Sequence, residues 1–142
     1  MPMYFLLVLF TFVHLPRAEK LDERSNYASF DCGAKVVSFT KGMTSVQSIL
    51  NENKDSYMTS LCSIAKQQIV IELCQEVKVD SLAIANFEYF SSMVHVFRLY
   101  GSDKHVGKEA SWTFLDEIKT ENNRNFQVLL LLILRCLDYH TL

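Results

Sequence analysis

Cysteine and histidine side chains are the groups of this 142-residue chain best suited to metal binding or nucleophilic chemistry. No two cysteines form a C-x-x-C pair and no histidine pair lies beside them, so the spacing predicts no zinc site. No H-E-x-x-H string or EF-hand loop occurs, and an isolated histidine is usually a structural or solvated residue. The sequence therefore predicts no metal ligands and no cofactor. The cysteines are Cys32, Cys62, Cys74 and Cys136, and the histidines are His14, His95, His105 and His140.

Catalytic arrangements are equally hard to find. The sequence has no G-x-S-x-G nucleophile elbow, and no Cys or Ser lies in a family catalytic signature. The glycine-rich strings that bind nucleotide phosphates do not occur either. Asp55, Glu72 and Glu88 could act as paired carboxylates, but no spacing brings them together, and Glu72 lies on the polar face of a predicted strand. We therefore expect no enzymatic activity.

The N-terminal residues differ in composition from the rest of the chain. Residues 4–13 are almost entirely apolar and have the length of a signal-peptide hydrophobic region, with Ala18 as a small residue for cleavage. They are too few to cross a bilayer, which needs roughly 20 apolar residues. We predict a signal peptide at residues 1–18 and a charged spacer at residues 19–25. The alternatives are a buried N-terminal strand and an incorrectly assigned gene start.

A signal peptide would place the cysteines in an oxidising compartment, where disulfides form. Four cysteines allow three complete pairings. We favour a Cys32–Cys62 bond, which the loop-closure model values at roughly 3–4 kcal/mol. Cys74 lies within an apolar strand pattern and is expected to stay a free, small, buried residue.

Composition and charge limit the class of protein. With 49% hydrophobic and 21% charged residues, the chain is globular rather than disordered, and its length fits one domain. The formal net charge is −2 and the basic residues are scattered, so no nucleic-acid surface is expected.

Short strand patterns recur along the chain. Apolar residues alternate or cluster over residues 36–39, 69–73, 94–100 and 112–115, and Val77 and Val79 suggest a half-exposed strand. A short helical turn is expected at residues 45–50. Strands at intervals of about ten residues predict an antiparallel β-sandwich.

Four strings of this sequence, taken in order, resemble the SUN-like domain of the ossification-factor (osteopotentia) branch of SUN proteins. They are NYASFDCGAKV at residues 26–36, ILNENKDSYM with CS at residues 49–63, IVIELC at residues 69–74 and IANFEYFSS at residues 84–92. The resemblance implies a jelly-roll β-sandwich related to galactose-binding and discoidin-type folds. It spans residues 26–127, the expected SUN-like domain.

The resemblance also implies a function and a location. Members of the branch are membrane glycoproteins of the endoplasmic reticulum (ER), linked to the folding or protection of newly made secretory proteins. This chain would then be a non-enzymatic module that contacts client or membrane-partner polypeptides in the ER lumen. Two alternatives stay open: a nuclear-envelope SUN protein that binds a KASH-type peptide to link nucleus and cytoskeleton, and a carbohydrate-binding β-sandwich, by analogy of fold.

The apolar tail at residues 128–142 departs from the family pattern. The closing strands of the family domain are not recognisable there, so the resemblance implies a C-terminally truncated form whose sandwich is incomplete. The run at residues 128–134 is compatible with a buried helix, a strand or non-native sequence.

Two of the matched strings contain polar residues that a buried strand would not need, and we expect them to contact a partner. One is the loop at residues 51–57, and the other is the segment at residues 86–92. The aromatic residues Phe87, Tyr89 and Phe90 suit contact with an extended polypeptide or a glycan. The alternative is that they pack in the core and along the rim of the sheet. The predicted partner-binding residues are Asn51, Asn53, Asp55, Tyr57, Asn86, Glu88 and Tyr89.

Overall fold

The computed structural model describes residues 25–104 and 111–131, so the predicted signal peptide and the end of the tail lie outside the described residues. Eight strands and one 3-10 helix lie in this part of the chain. They are β1 (Lys35–Phe39), β2 (Met43–Thr44), the 3-10 helix (Val46–Leu50), β3 (Thr59–Ser60), β4 (Ile69–Glu72), β5 (Ser81–Ile84), β6 (Val96–Gly101), β7 (Thr113–Lys119) and β8 (Gln127–Leu130).

The strands form antiparallel pairs, which confirms the all-β fold class. β1 pairs with β4, β2 with β3, β5 with β8 and β6 with β7. Two of these pairs join strands that are distant in sequence, as the crossing connections of a jelly-roll β-sandwich do. The predicted strands at residues 36–39, 69–73 and 94–100 correspond to β1, β4 and β6, and the helical turn is the 3-10 helix.

The main core cluster lies where β1, β2 and the 3-10 helix meet. Ala34, Val36, Met43, Val46 and Leu50 are buried together, and Leu50 keeps only 2% of its surface exposed. The Gln47 side chain joins the helix to β1, because its amide accepts from the Val36 N–H and donates to the Val36 carbonyl, both at 3.2 Å. The buried backbone of Val36 thereby obtains the partners that a neighbouring strand would provide.

The β6–β7 pair carries an exposed outer face. Arg98 and Glu117 are register partners and form an ion pair of 2.7 Å. The Tyr100 and Phe114 rings meet edge to face with centroids 5.6 Å apart. The Glu117 carboxylate, through its hydrogen bond and its charge, raises the pKa of the Arg98 guanidinium above its usual value. β7 extends to Lys119, beyond the predicted strand at residues 112–115.

The disulfide differs from the favoured pairing. Cys32 is bonded to Cys74, with Cα atoms 5.6 Å apart, and Cys62 is free and exposed. The β1–β4 register explains this, because Lys35 pairs with Glu72 and the residues just outside that pair, Cys32 and Cys74, are brought side by side. The predicted Cys32–Cys62 bond and the predicted free Cys74 are therefore wrong.

The segment before β5 is not a strand, contrary to the alternation of Val77 and Val79. The Cys74 N–H is bound by the Tyr27 carbonyl at 3.1 Å, so the chain turns away from β1 after β4. It enters a ladder again at Ser81, opposite Leu130 of β8. Residues 128–130 of the apolar run thus belong to strand β8, and a strand is one of the structures that the sequence left open.

Candidate partner-binding surface

The rim loop, residues 86–92, directly follows β5 and is shaped by its own polar side chains. The Asn86 carbonyl Oδ1 accepts from the Glu88 N–H at 2.9 Å, and its Nδ2 donates to Ser91 Oγ at 3.2 Å. The Glu88 carboxylate accepts from the Phe90 N–H at 2.9 Å. Short polar side chains that bind the backbone two residues ahead are typical of tight turns. Asn86 and Glu88 thus determine the course of the loop.

Two aromatic side chains of the rim loop lie in solvent. Tyr89 keeps 77% of its surface exposed and Phe90 keeps 100%. Phe87, by contrast, is half-buried and meets the Phe126 ring edge to face, with centroids 5.3 Å apart. An adjacent pair of exposed aromatic side chains is common where proteins contact other proteins.

The turn between β7 and β8 contacts the rim loop through Arg124. Arg124 donates to the carbonyl oxygens of Glu88 and Tyr89, the latter at 3.0 Å. Its guanidinium also lies 5.5 Å from the centre of the Tyr89 ring, a cation–π distance. Neither Arg124 nor Phe126 belongs to the predicted site, since both are distant from it in sequence.

The predicted loop at residues 51–57 lies beside the rim loop. Asn51 and Asn53 each accept, through Oδ1, a backbone N–H two residues ahead, at 3.0 and 2.9 Å. The Lys54 ammonium lies 5.0 Å from the centre of the Phe87 ring, which connects the two loops. Asp55 and Tyr57 are exposed. The structure therefore brings the two predicted strings together, through Lys54 and Phe87, which were not among the predicted contact residues.

A polar cleft adjoins the end of the rim loop. It encloses about 410 Å³ and is lined by residues that include Ser91, His95, Glu121 and Arg124. Within residues 25–104 and 111–131, no group of three or more His, Cys, Asp or Glu side chains could hold a metal ion. No helix among those residues is long and apolar enough to cross a membrane.

Comparison with protein families identifies the chain. Residues 39–132 match the family described as Sad1/UNC-like C-terminal, the SUN domain. The chain belongs to this SUN-domain family. The matched range contains all of β2 to β8, the loop at residues 51–57 and the rim loop. Family membership supports a protein-interaction module, and proteins with this domain are typically not enzymes.

Several curated SUN-domain relatives are similar over most of this chain. The protein slp1 of Schizosaccharomyces pombe is 42% identical over 75% of this chain and 16% of its own length. The human SUN domain-containing ossification factor is 40% identical over 73% of this chain and 8% of its own. SUN domain-containing protein 5 of Arabidopsis thaliana is 43% identical over 54% of this chain and 14% of its own.

The chain therefore spans less than a fifth of the length of these relatives. The similarity covers the SUN domain and does not single out one branch of the family, because yeast, plant and human proteins match at comparable identity. No solved structure matches the chain.

Phe90 and Arg124 belong to this surface but were not among the residues predicted from the sequence. Phe90 belongs to the aromatic run that the sequence displays, and its exposure could have been suspected from the polar residues around it. Arg124 gave no signal, because its contacts with Glu88 and Tyr89 cross 36 and 35 residues of sequence.

Proposed function

We propose that this chain is a non-enzymatic SUN-like interaction module of the ER, which contacts newly made secretory polypeptides and helps their folding or protection. The observation that carries the proposal is the exposed pair Tyr89 and Phe90 on a loop held in place by its own side chains. Unfolded chains expose apolar segments, and exposed aromatic side chains on a rigid loop suit contact with them.

Two further observations are compatible with the ER location and with the ossification-factor branch. The Cys32–Cys74 disulfide fits an oxidising compartment, which the ER lumen provides. The human SUN domain-containing ossification factor is 40% identical over 73% of this chain. In this proposal, the contact residues on the two loops are Asn51, Asn53, Asp55, Tyr57, Asn86, Glu88 and Tyr89, with Phe90 added.

A second candidate is a nuclear-envelope SUN protein that binds a KASH-type peptide. The match to the Sad1/UNC-like family is as compatible with this candidate as with the first. The lumen of the nuclear envelope is continuous with that of the ER, so the disulfide is equally compatible with both locations.

Site-specific photocrosslinking separates the two candidates. A photoreactive phenylalanine analogue replaces Phe90 in the full chain expressed in the ER, and the same analogue replaces Phe114 as a matched control on the exposed face of β7. We expect pulse-labelled secretory chains to crosslink through position 90 and not through position 114. Crosslinking through position 90 to a KASH-type tail would favour the nuclear-envelope alternative. Equal labelling of client chains at both positions would contradict the proposed contact surface.

A further inference from the structure

The turn between β7 and β8 is an ordered platform. The Gln127 side chain accepts from the Glu121 N–H at 2.7 Å and donates to the Glu121 carbonyl at 2.8 Å, which closes the turn. Within it, Asn123 accepts from the Asn125 N–H at 3.1 Å. Arg124 therefore extends from a turn whose backbone is bound on both sides.

The guanidinium of Arg124 contacts the rim loop at several points. One terminal nitrogen donates to the Glu88 carbonyl, and the other donates to the carbonyls of Tyr89 and Ser91, at 3.0 and 3.5 Å. The same group lies over the Tyr89 ring. Arg124 is half-buried, so these charge-assisted hydrogen bonds are only partly screened by water.

This set of contacts requires an arginine. The guanidinium is planar and offers donors in a fixed fork, so it can bind several carbonyl oxygens at once. A lysine would supply the same charge, but as a compact point charge that cannot span the same carbonyls while covering a ring.

The contacts of Arg124 explain how Phe90 stays exposed. Apolar surface in water is unfavourable, so an unrestrained loop would tend to fold its aromatic side chains onto the protein. A loop held in one conformation keeps these side chains pointing outward. Less conformational entropy is then lost when a partner binds.

We propose that Arg124 is a positioning residue, which holds the rim loop so that Tyr89 and Phe90 face a partner. Arg124 need not touch the partner itself. This inference rests on the proposed function, in which the rim loop is the contact surface.

Limited proteolysis measures the position of the loop directly. Chymotrypsin cleaves after aromatic residues only where the backbone can open, and mass spectrometry can follow the peptides that end at Tyr89 or Phe90. We expect Arg124→Lys to raise the rate of these cleavages about tenfold or more. Arg98→Lys, a matched change at an exposed arginine paired with Glu117, should leave the rate at that of the unchanged protein.

Crosslinking of client chains through position 90 is measured on the same variants. It separates the position of the loop from overall stability, which the melting temperature reports. Faster cleavage together with weaker client crosslinking in Arg124→Lys, at an unchanged melting temperature, supports the proposal. Cleavage at the rate of Arg98→Lys overturns it, and so does faster cleavage with undiminished crosslinking.

The two proposals can fail separately. If the unchanged protein crosslinks no client chains, the proposed function is wrong, while the cleavage rates still decide whether Arg124 holds the loop. If Arg124→Lys does not fold, NMR of the Arg124 guanidinium protons in the unchanged protein decides the matter, because these protons make the contacts with the rim loop. Separate, slowly exchanging signals would support the proposal, and rapid rotation and exchange, as in a solvated arginine, would overturn it.

Discussion

Asn86 and Glu88 act on the backbone of the loop that contains them. Each side chain accepts a backbone N–H two residues ahead, and Asn86 also donates to Ser91. These two residues, which we expect to contact a partner, thus also stabilise the conformation of the rim loop. Their effect on binding would come through the position of Tyr89 and Phe90 as much as through direct contact.

Replacement of Asn86 by alanine tests this role. Asn86→Ala removes the hydrogen bonds to Glu88 and Ser91, so we expect a loss of about 1–2 kcal/mol in unfolding free energy. Client crosslinking through position 90 should fall as well. Urea denaturation measures the first effect, with Asn125→Ala on the neighbouring turn as a control at an exposed asparagine. Complete unfolding of Asn86→Ala would assign the residue a structural role alone.

The β1–β4 pair is the element that determines the covalent structure of the domain. Its register places Cys32 and Cys74 side by side, and the ion pair between Lys35 and Glu72, at 3.3 Å, lies at the same end. An exposed ion pair of this kind contributes little, whereas the disulfide restricts the unfolded chain over a sequence separation of 42 residues.

Removal of the disulfide should therefore be costly. We expect the double variant Cys32→Ala and Cys74→Ala to lose about 4 kcal/mol of unfolding free energy by the loop-closure model. Cys62→Ala, at the exposed free thiol, should stay within about 0.5 kcal/mol of the unchanged protein. Equilibrium denaturation without reductant measures both. A loss in Cys62→Ala as large as in the double variant would show that Cys62 takes part in the bond.

At the scale of the whole molecule, a small buried cluster coexists with an exposed candidate surface. The cluster joins β1, β2 and the 3-10 helix, while the rim loop rests on the turn between β7 and β8. In the proposed function, the partner contacts the rim loop and not the cluster. Changes in the cluster should therefore lower stability more than changes in the rim loop do, and changes in the rim loop should lower binding.

Leu50 and its neighbour Ile49 provide a matched test of that division. Leu50 is 2% exposed and Ile49 is 38% exposed on the same 3-10 helix. We expect Leu50→Ala to cost about 3 kcal/mol of unfolding free energy because it leaves a cavity in the cluster. Ile49→Ala should cost less than about 1 kcal/mol. Urea denaturation compares the two variants, and equal losses would contradict the position of the core.

Local patterns were sufficient where neighbours in sequence decide the structure. The alternation at residues 36–39 and 94–100 predicted β1 and β6, and the strand at residues 69–73 was predicted as well. The same kind of pattern failed at Val77 and Val79. There the backbone path is determined by the Cys32–Cys74 bond and by the Tyr27 carbonyl, which no local alternation records.

The sequence by itself determined the SUN-domain family and the all-β class, and it predicted the two loops of the candidate surface. These follow from ordered strings and from side-chain periodicity, which are properties of neighbouring residues. Only the tertiary structure decided which cysteine Cys32 joins and which residue supports the rim loop. Those contacts form across 42 residues in the disulfide and 35 residues between Arg124 and Tyr89. Such pairs depend on strand register and loop placement, which a linear sequence does not display.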